Sequence, residues 1–545
     1  MKFVHHYFIL FLCSIAPADL LSQPPRLIIT FVIDQLSCSN FMKLSPYFTG
    51  GFKRLLENGV VFRNATWPHS LPSTGPGHTG LVTGTIPSVH GIIGNDWPDQ
   101  NGNKVMCDGD TPENAAVFSP DGFYDFGKST RNTMADTVGD QAMIASTAER
   151  PFAVYSISGK SRSGTAMAGK LGKAIWFDDN SGQYTSSKAF FDELPTWLTS
   201  YNDQIKKKIT AYTWQPYFIT SHKAYSCTNP NSNKYARAEE ILNVPMELNE
   251  ENPKEFYHLI ERTPLYHDLI LGCATECLDH CLKQDPVPTI ILWIGLSGTD
   301  KIGHLFGNSS KEYCDILYHL DAQLDRFMRE VGTRINPVDT LFLLTSDHGS
   351  MPIVELLTEK KFNLAKRINT VDLTNTLNKT VEEKIGIQNL ITLVDTPNIY
   401  FDQKIWNSLD QKKQSTALKL LKKTIRKTPG IKQVWTYKEL EKAYFHLWDK
   451  GQLYKNQLFP GRSGQLIFQV YPYVYASKYT TGAGHKTPYE YDIHVPLIFY
   501  QPNIISDKRV DKPVLVPQVA PTITSILQIP RPSAALFGEL PGISH

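Results

Sequence analysis

Leu27-Ile28-Ile29-Thr30-Phe31-Val32-Ile33-Asp34 sets the architecture of this chain: a run of strand formers ended by a carboxylate. An apolar run that does not alternate fits a strand covered on both faces, as in a parallel sheet. The pattern recurs twice. Ile290-Ile291-Leu292-Trp293-Ile294 precedes Asp300, and Leu341-Phe342-Leu343-Leu344 precedes Asp347. In open α/β sheets ligands gather beyond the carboxyl ends of the strands. Three carboxylates brought to one sheet edge repel each other unless cations neutralise them.

Imidazoles accompany these carboxylates. His304 stands four residues after Asp300, one helical turn away, so the two side chains can face the same ion. His348 directly follows Asp347, and His485 ends the glycine-rich loop Thr480-Thr481-Gly482-Ala483-Gly484-His485. Any one of these histidines, taken alone, is more simply a surface or hydrogen-bonded core residue. Together with the three aspartates they read as metal ligands. Mixed carboxylate and imidazole ligation suits zinc, whereas magnesium prefers oxygen alone and calcium more of it. Two zinc ions about 4 Å apart clamp the attacking and leaving oxygens of an in-line displacement.

A seventh candidate, Thr74, lies in Pro68-His69-Ser70-Leu71-Pro72-Ser73-Thr74-Gly75-Pro76-Gly77-His78-Thr79-Gly80. Proline and glycine there demand a turn, and Leu81-Val82-Thr83 suits the short helix that follows. That places Thr74 at a helix N-terminus, where backbone N–H groups favour an anion. A threonine there equally well serves as a helix cap. Ser73 is a neighbouring hydroxyl, and His78 reads as a structural hydrogen-bonder.

Composition permits an enzyme and excludes rivals. The chain has 545 residues with a net charge of +2, 41% hydrophobic, 20% charged and 11% aromatic. It is large enough for a substantial core, and its near-neutral charge gives no case for a nucleic-acid partner or an anionic membrane. Lys2, the apolar run 7–15 and Ala16-Pro17-Ala18 read as a secretory signal over residues 1–22, with cleavage after Ala18 or Ser22. Leu12 before Cys13 is a poor fit to a lipoprotein site. No later segment reads as a membrane span, so the expected location is periplasmic or secreted. Cys273, Cys277 and Cys281 recur every four residues on one expected helix; with His280 they admit a metal site, but a buried apolar face is the simpler reading.

Strands alternating with helices predict an α/β domain over residues 23–545. Two stretches break the alternation, at about 150–265 and about 355–480, and read as insertions. Gln465-Leu466-Ile467-Phe468 is a buried-strand candidate within the second.

The ordered set Asp34, Thr74, Asn95, Lys160-Ser161-Arg162, Asp300, His304, Asp347-His348 and His485 resembles the PafA-type bacterial alkaline phosphatases of the alkaline phosphatase superfamily. Gly77-His78-Thr79, Pro87-Ser88-Val89-His90-Gly91, Gly94-Asn95-Asp96-Trp97 and Phe177-Asp178-Asp179 extend the likeness to nearly the whole mature chain. The resemblance implies a central, mostly parallel sheet with helices on both faces and inserted cap regions. It implies one zinc held by Asp34, Asp347, His348 and the Thr74 oxygen, and a second held by Asp300, His304 and His485. Thr74 would be the nucleophile, forming a phosphothreonine that water hydrolyses. Asn95, Lys160 and Arg162 would contact the non-bridging oxygens of the phosphoryl group. Without the resemblance, Lys160 and Arg162 read as a solvated basic turn.

The expected substrate is therefore a small phosphate monoester, and the favoured state a monomer. A nucleotide pyrophosphatase/phosphodiesterase using the same two-zinc site is the nearest alternative; three polar phosphoryl contacts favour the dianionic monoester. Sulfatases fit poorly, since residues 68–83 contain neither arginine nor cysteine. Cytosolic mutases are disfavoured by the signal. A non-catalytic exported metal-binding protein is the alternative from another class.

Overall fold

The computed structural model describes residues 23–446 and 449–543. The expected signal at 1–22 lies outside the described residues.

The three apolar runs form adjacent parallel strands. Leu27–Ile33 lies between Thr289–Leu296 and Thr340–Thr345, with Ile29 facing Leu292 on one side and Phe342 on the other. Every residue of the Leu27–Ile33 strand is buried. Side chains alternate across a strand, so Leu27, Ile29, Phe31 and Ile33 enter one hydrophobic layer while Ile28 and Val32 enter the opposite one. Helices Pro264–Leu282 and Lys311–Gly332 close the first layer. Helices Thr74–Thr83, Ser161–Ala168 and Val519–Ile526 close the second.

The central sheet has nine strands. From one edge these are Gln183–Thr185, Lys173–Asp178, Phe152–Ser158, Thr289–Leu296, Leu27–Ile33, Thr340–Thr345, Leu497–Tyr500, Val60–Phe62 and Lys508–Val510. Gln183–Thr185 and Leu497–Tyr500 run against the others. The sheet is thus mostly parallel with helices on both faces, as expected.

The first insertion begins later than the sequence predicts. Residues 152–185 supply three strands to the central sheet rather than a cap over its edge. Phe152–Ser158 pairs in register with Thr289–Leu296. Its two serines, Ser156 and Ser158, and the tight turn to the next helix obscure the apolar run that marks the other strands. The later part, with helix Thr196–Lys208 and the two-stranded ribbon of Ala211–Thr213 and Pro245–Glu247, covers one face.

A separate four-stranded sheet occupies part of the second stretch, in the order Ile391–Asp395, Asn398–Phe401, Leu466–Val470, Ile431–Thr436. Helices Thr370–Ile385 and Gln411–Lys427 pack on it and share its own hydrophobic cluster. Cys273, Cys277 and Cys281 face the main core beside Leu278, which favours the apolar reading of that helix face.

Candidate active site

Parallel pairing sets the site. Ile33 ends opposite Leu296, and Val32 lies opposite Thr345, so Asp34, Asp300 and Asp347 all emerge beyond the same edge. Asp300 follows in the first turn of helix Gly298–Phe306, and His304 one turn later brings Nε2 to 3.2 Å from its Oδ1.

Two groups of candidate ligands form there. Atoms of Asp300, His304 and His485 lie within 4.8 Å of one another, as do those of Asp34, His78 and Asp347. The first matches one expected trio. In the second, His78 stands where His348 was expected: its Nε2 is 3.5 Å from Asp34 and its Nδ1 3.6 Å from Asp347. His348 is close by, with Nε2 3.2 Å from Asp347 Oδ2 and its ring stacked 3.7 Å from that of His485. It therefore sits at the junction of the two groups. Each ring is oriented by a carbonyl at Nδ1: His304 on Ala483, His348 on Gly349, His485 on Pro72 and His78 on Thr74. That leaves Nε2 of His348, a buried atom without a hydrogen-bond partner, aimed at the carboxylates.

Other atoms point to the same need. Asp34 Oδ1, Asp347 Oδ2 and His78 Nε2 are buried without a hydrogen-bond partner. Orphaned buried acceptors are costly. Burial and the neighbouring Asp34 charge push the Asp347 carboxyl well above the usual carboxylate range. Burial lowers His348 to about 4, so its imidazole is neutral and able to ligate. Buried carboxylates and neutral imidazoles with vacant lone pairs fit a divalent cation such as zinc.

Thr74 opens the helix that carries His78. It is the first helical residue, not the cap; Ser73 occupies the cap position, and its side chain makes no capping bond. Gly77 presses this helix onto the Asp347 turn: a Cβ there would lie 2.5 Å from the Asp347 carbonyl oxygen. Only glycine permits that approach.

Lys160 and Arg162 flank the start of helix Ser161–Ala168. Lys160 is buried, not solvated, with Nζ 2.8 Å from Asp34 Oδ2 and 2.5 Å from Asp300 Oδ2. Burial opposes its charge, but the Asp300 and Asp34 carboxylates outweigh that and raise its pKa. Arg162 Nε is buried without a hydrogen-bond partner. Asn95 accepts the Gly75 N–H at 2.8 Å through Oδ1, which fixes its amide beside the first turn of the Thr74 helix.

Gln35 escaped the sequence reading. Its backbone N–H donates to Asp347 Oδ1 at 3.1 Å and its side-chain amide to Asp300 Oδ1 at 3.0 Å. Its position directly after the strand-ending Asp34 was the available signal. For His78 the signal was the four-residue spacing from Thr74 on one helix.

The fold is that of the alkaline-phosphatase-like α/β enzymes. The superposition on wild-type alkaline phosphatase PafA gives a TM-score of 0.83 over 95% of this chain and 99% of that one, at 24% identity. The type I phosphodiesterase / nucleotide pyrophosphatase family model matches residues 28–161 and 163–494, and the chain belongs to that family. It is 28% identical to alkaline phosphatase PafA of Elizabethkingia meningoseptica, over 94% of this chain and 93% of that protein. Alkaline phosphatase PhoV of Synechococcus elongatus is 26% identical, over 94% of this chain and 92% of its own length.

Proposed function

We propose that this protein is an exported phosphomonoesterase, an alkaline phosphatase with two zinc ions and a threonine nucleophile. One observation carries the reading: Thr74 opens a helix whose next turn, at His78, touches both Asp34 and Asp347, while Lys160 lies between Asp34 and Asp300. The similarity to several alkaline phosphatases over nearly the full chain supports the same substrate class.

Asp300, His304 and His485 would hold one ion; Asp34, Asp347 and His348 the other, with His78 beside them. Zinc there supplies Lewis-acid charge that favours an ionised hydroxyl and offsets charge on the phosphoryl oxygens. The Thr74 Oγ attacks phosphorus and the ester P–O bond breaks, releasing the alcohol. Water then attacks the phosphothreonine, freeing phosphate and restoring Thr74. Helix N–H groups, the Asn95 amide and the Lys160 and Arg162 cations hold the three equatorial oxygens, where charge accumulates in the transition state. Such contacts favour the extra charge of a monoester over the organic substituent of a diester.

The experiment compares p-nitrophenyl phosphate with its methyl diester, before and after chelation and zinc return. The monoester should be preferred by orders of magnitude in kcat/KM, with both activities lost on chelation. Equal rates on the two esters favour the phosphodiesterase reading. No rate on either, with zinc bound, leaves a non-catalytic metal-binding protein.

A further inference from the structure

Seven cysteines lie among the described residues, all as free thiols. Cys273, Cys277 and Cys281 share one buried helix face. Cys277 and Cys281 are one helical turn apart, but residues four apart on a helix hold their Cβ atoms about 5–6 Å apart, beyond the roughly 3.5–4.5 Å a disulfide requires. They are also closed to any oxidant.

Cys227 and Cys314 differ in both respects. They come from separate segments and lie close enough to influence each other. The Cys227 thiol donates to the Ala224 carbonyl at 3.7 Å, the same oxygen that accepts the hydroxyl of Tyr318, one turn after Cys314 on its helix. The turn carrying Cys227 is fixed to the helix carrying Cys314 by independent contacts. Tyr225 donates its hydroxyl to the Asp315 carboxylate, and Tyr318 donates to the Ala224 carbonyl at 2.8 Å. The Tyr217 N–H donates to Asp315 Oδ1 at 2.8 Å, and the Lys311 ammonium lies 5.0 Å over the Tyr225 ring. Cys314 is buried at 3% exposure, whereas Cys227 is partly open to solvent. Lys43 donates to the Cys227 carbonyl at 3.0 Å and sets a positive charge beside the pair.

We propose that Cys227 and Cys314 are a disulfide-forming pair, with Cys227 the attacking and Cys314 the resolving thiol. Contact with Cys314, opposed by burial and aided by Lys43, lowers the Cys227 thiol, and Cys227 is the member of the pair open to solvent. It is thus the member an oxidant reaches first. The Cys227 thiolate attacks one sulfur of a small disulfide such as oxidised glutathione and expels one glutathione thiolate. Cys314 gives its proton to solvent, attacks the Cys227 sulfur and expels the second. Two protein thiols become one disulfide, and one oxidant disulfide becomes two thiols. The link closes a long loop, the case in which a crosslink most restricts the unfolded chain. It pins the 223–228 turn to helix Lys311–Gly332, whose Tyr313 donates to the Gln35 carbonyl at 2.7 Å. The inference does not depend on the phosphatase reading.

The test treats the full chain with oxidised glutathione, quenches it in acid, alkylates it and digests it without reduction for mass spectrometry. The wild type should yield a linked Cys227–Cys314 peptide, with Cys273, Cys277 and Cys281 unlinked. Cys314→Ser should instead trap glutathione on Cys227, and Cys227→Ser should leave Cys314 unmodified. The thermal midpoint of the oxidised wild type should fall by several degrees on reduction, and that of Cys227→Ser should not respond. A wild type that ends with glutathione on Cys227 and a free Cys314, or with both thiols alkylated, overturns the proposal.

Discussion

Gln35 donates its side-chain amide to Asp300 at 3.0 Å, and the same residue's backbone N–H holds Asp347 at 3.1 Å. It has a left-handed backbone, φ 64°, and its carbonyl accepts the Tyr313 hydroxyl. One non-ligating residue therefore sets the spacing of the two acid–imidazole groups. Groups that orient metal ligands typically matter about 10–100-fold in metal affinity or activity. Gln35→Ala should weaken zinc retention and kcat/KM by that factor while the protein stays folded. Zinc content after dialysis against a weak chelator checks it; wild-type retention would remove the role.

Thr74 is tested by paired substitutions. Thr74→Ala should cost roughly 10³-fold or more in kcat on an aryl monoester. Thr74→Ser, which keeps the hydroxyl, should retain far more. Activity of the alanine variant within tenfold of wild type would shift suspicion to Ser73, and Ser73→Ala would then be the informative variant.

Lys160 and Arg162 should set monoester preference. Replacing both with alanine should reduce monoester kcat/KM about 100-fold more than diester kcat/KM, since only the former loses contacts to an additional charged oxygen. Zinc content must be measured in parallel, because Lys160 also balances Asp34 and Asp300. An unchanged ratio with full zinc would contradict the assignment.

His267 makes a stability prediction. It is fully buried, accepts the Gly298 N–H at 3.1 Å, and burial lowers it from 6.5 to about 3. Above its unfolded value neither state holds the proton, so its contribution is fully present. As pH falls below that value, only the unfolded chain takes the proton, and stability is lost until the folded pKa is reached. The slope from one such group is at most about 1.4 kcal/mol per pH unit. His267→Gln, which supplies an acceptor that does not titrate, should flatten the acid side of the stability profile between about pH 6.5 and 4.5. Urea midpoints across that range decide it, and parallel profiles for the two proteins would count against the account.

The three strands ending before Asp34, Asp300 and Asp347 were legible because each is covered on both faces and must be apolar throughout. The Phe152–Ser158 strand was not, since its serines and following turn broke the run. Asp300 and His304 were readable from spacing alone, because a helix fixes where residues four apart point. His485 was read from its glycine-rich loop, but nothing local placed it against His348.

By itself the sequence determined the strand–helix alternation, the acid and imidazole inventory and the hydroxyl at a helix start, all properties set within one or two turns of chain. Tertiary structure alone decided that Gln35 spans two carboxylates, that His78 joins Asp34 and Asp347, and that Lys160 is buried between charges. Those contacts join residues tens to hundreds of positions apart, and strand register with helix packing brings them together, which no local pattern encodes.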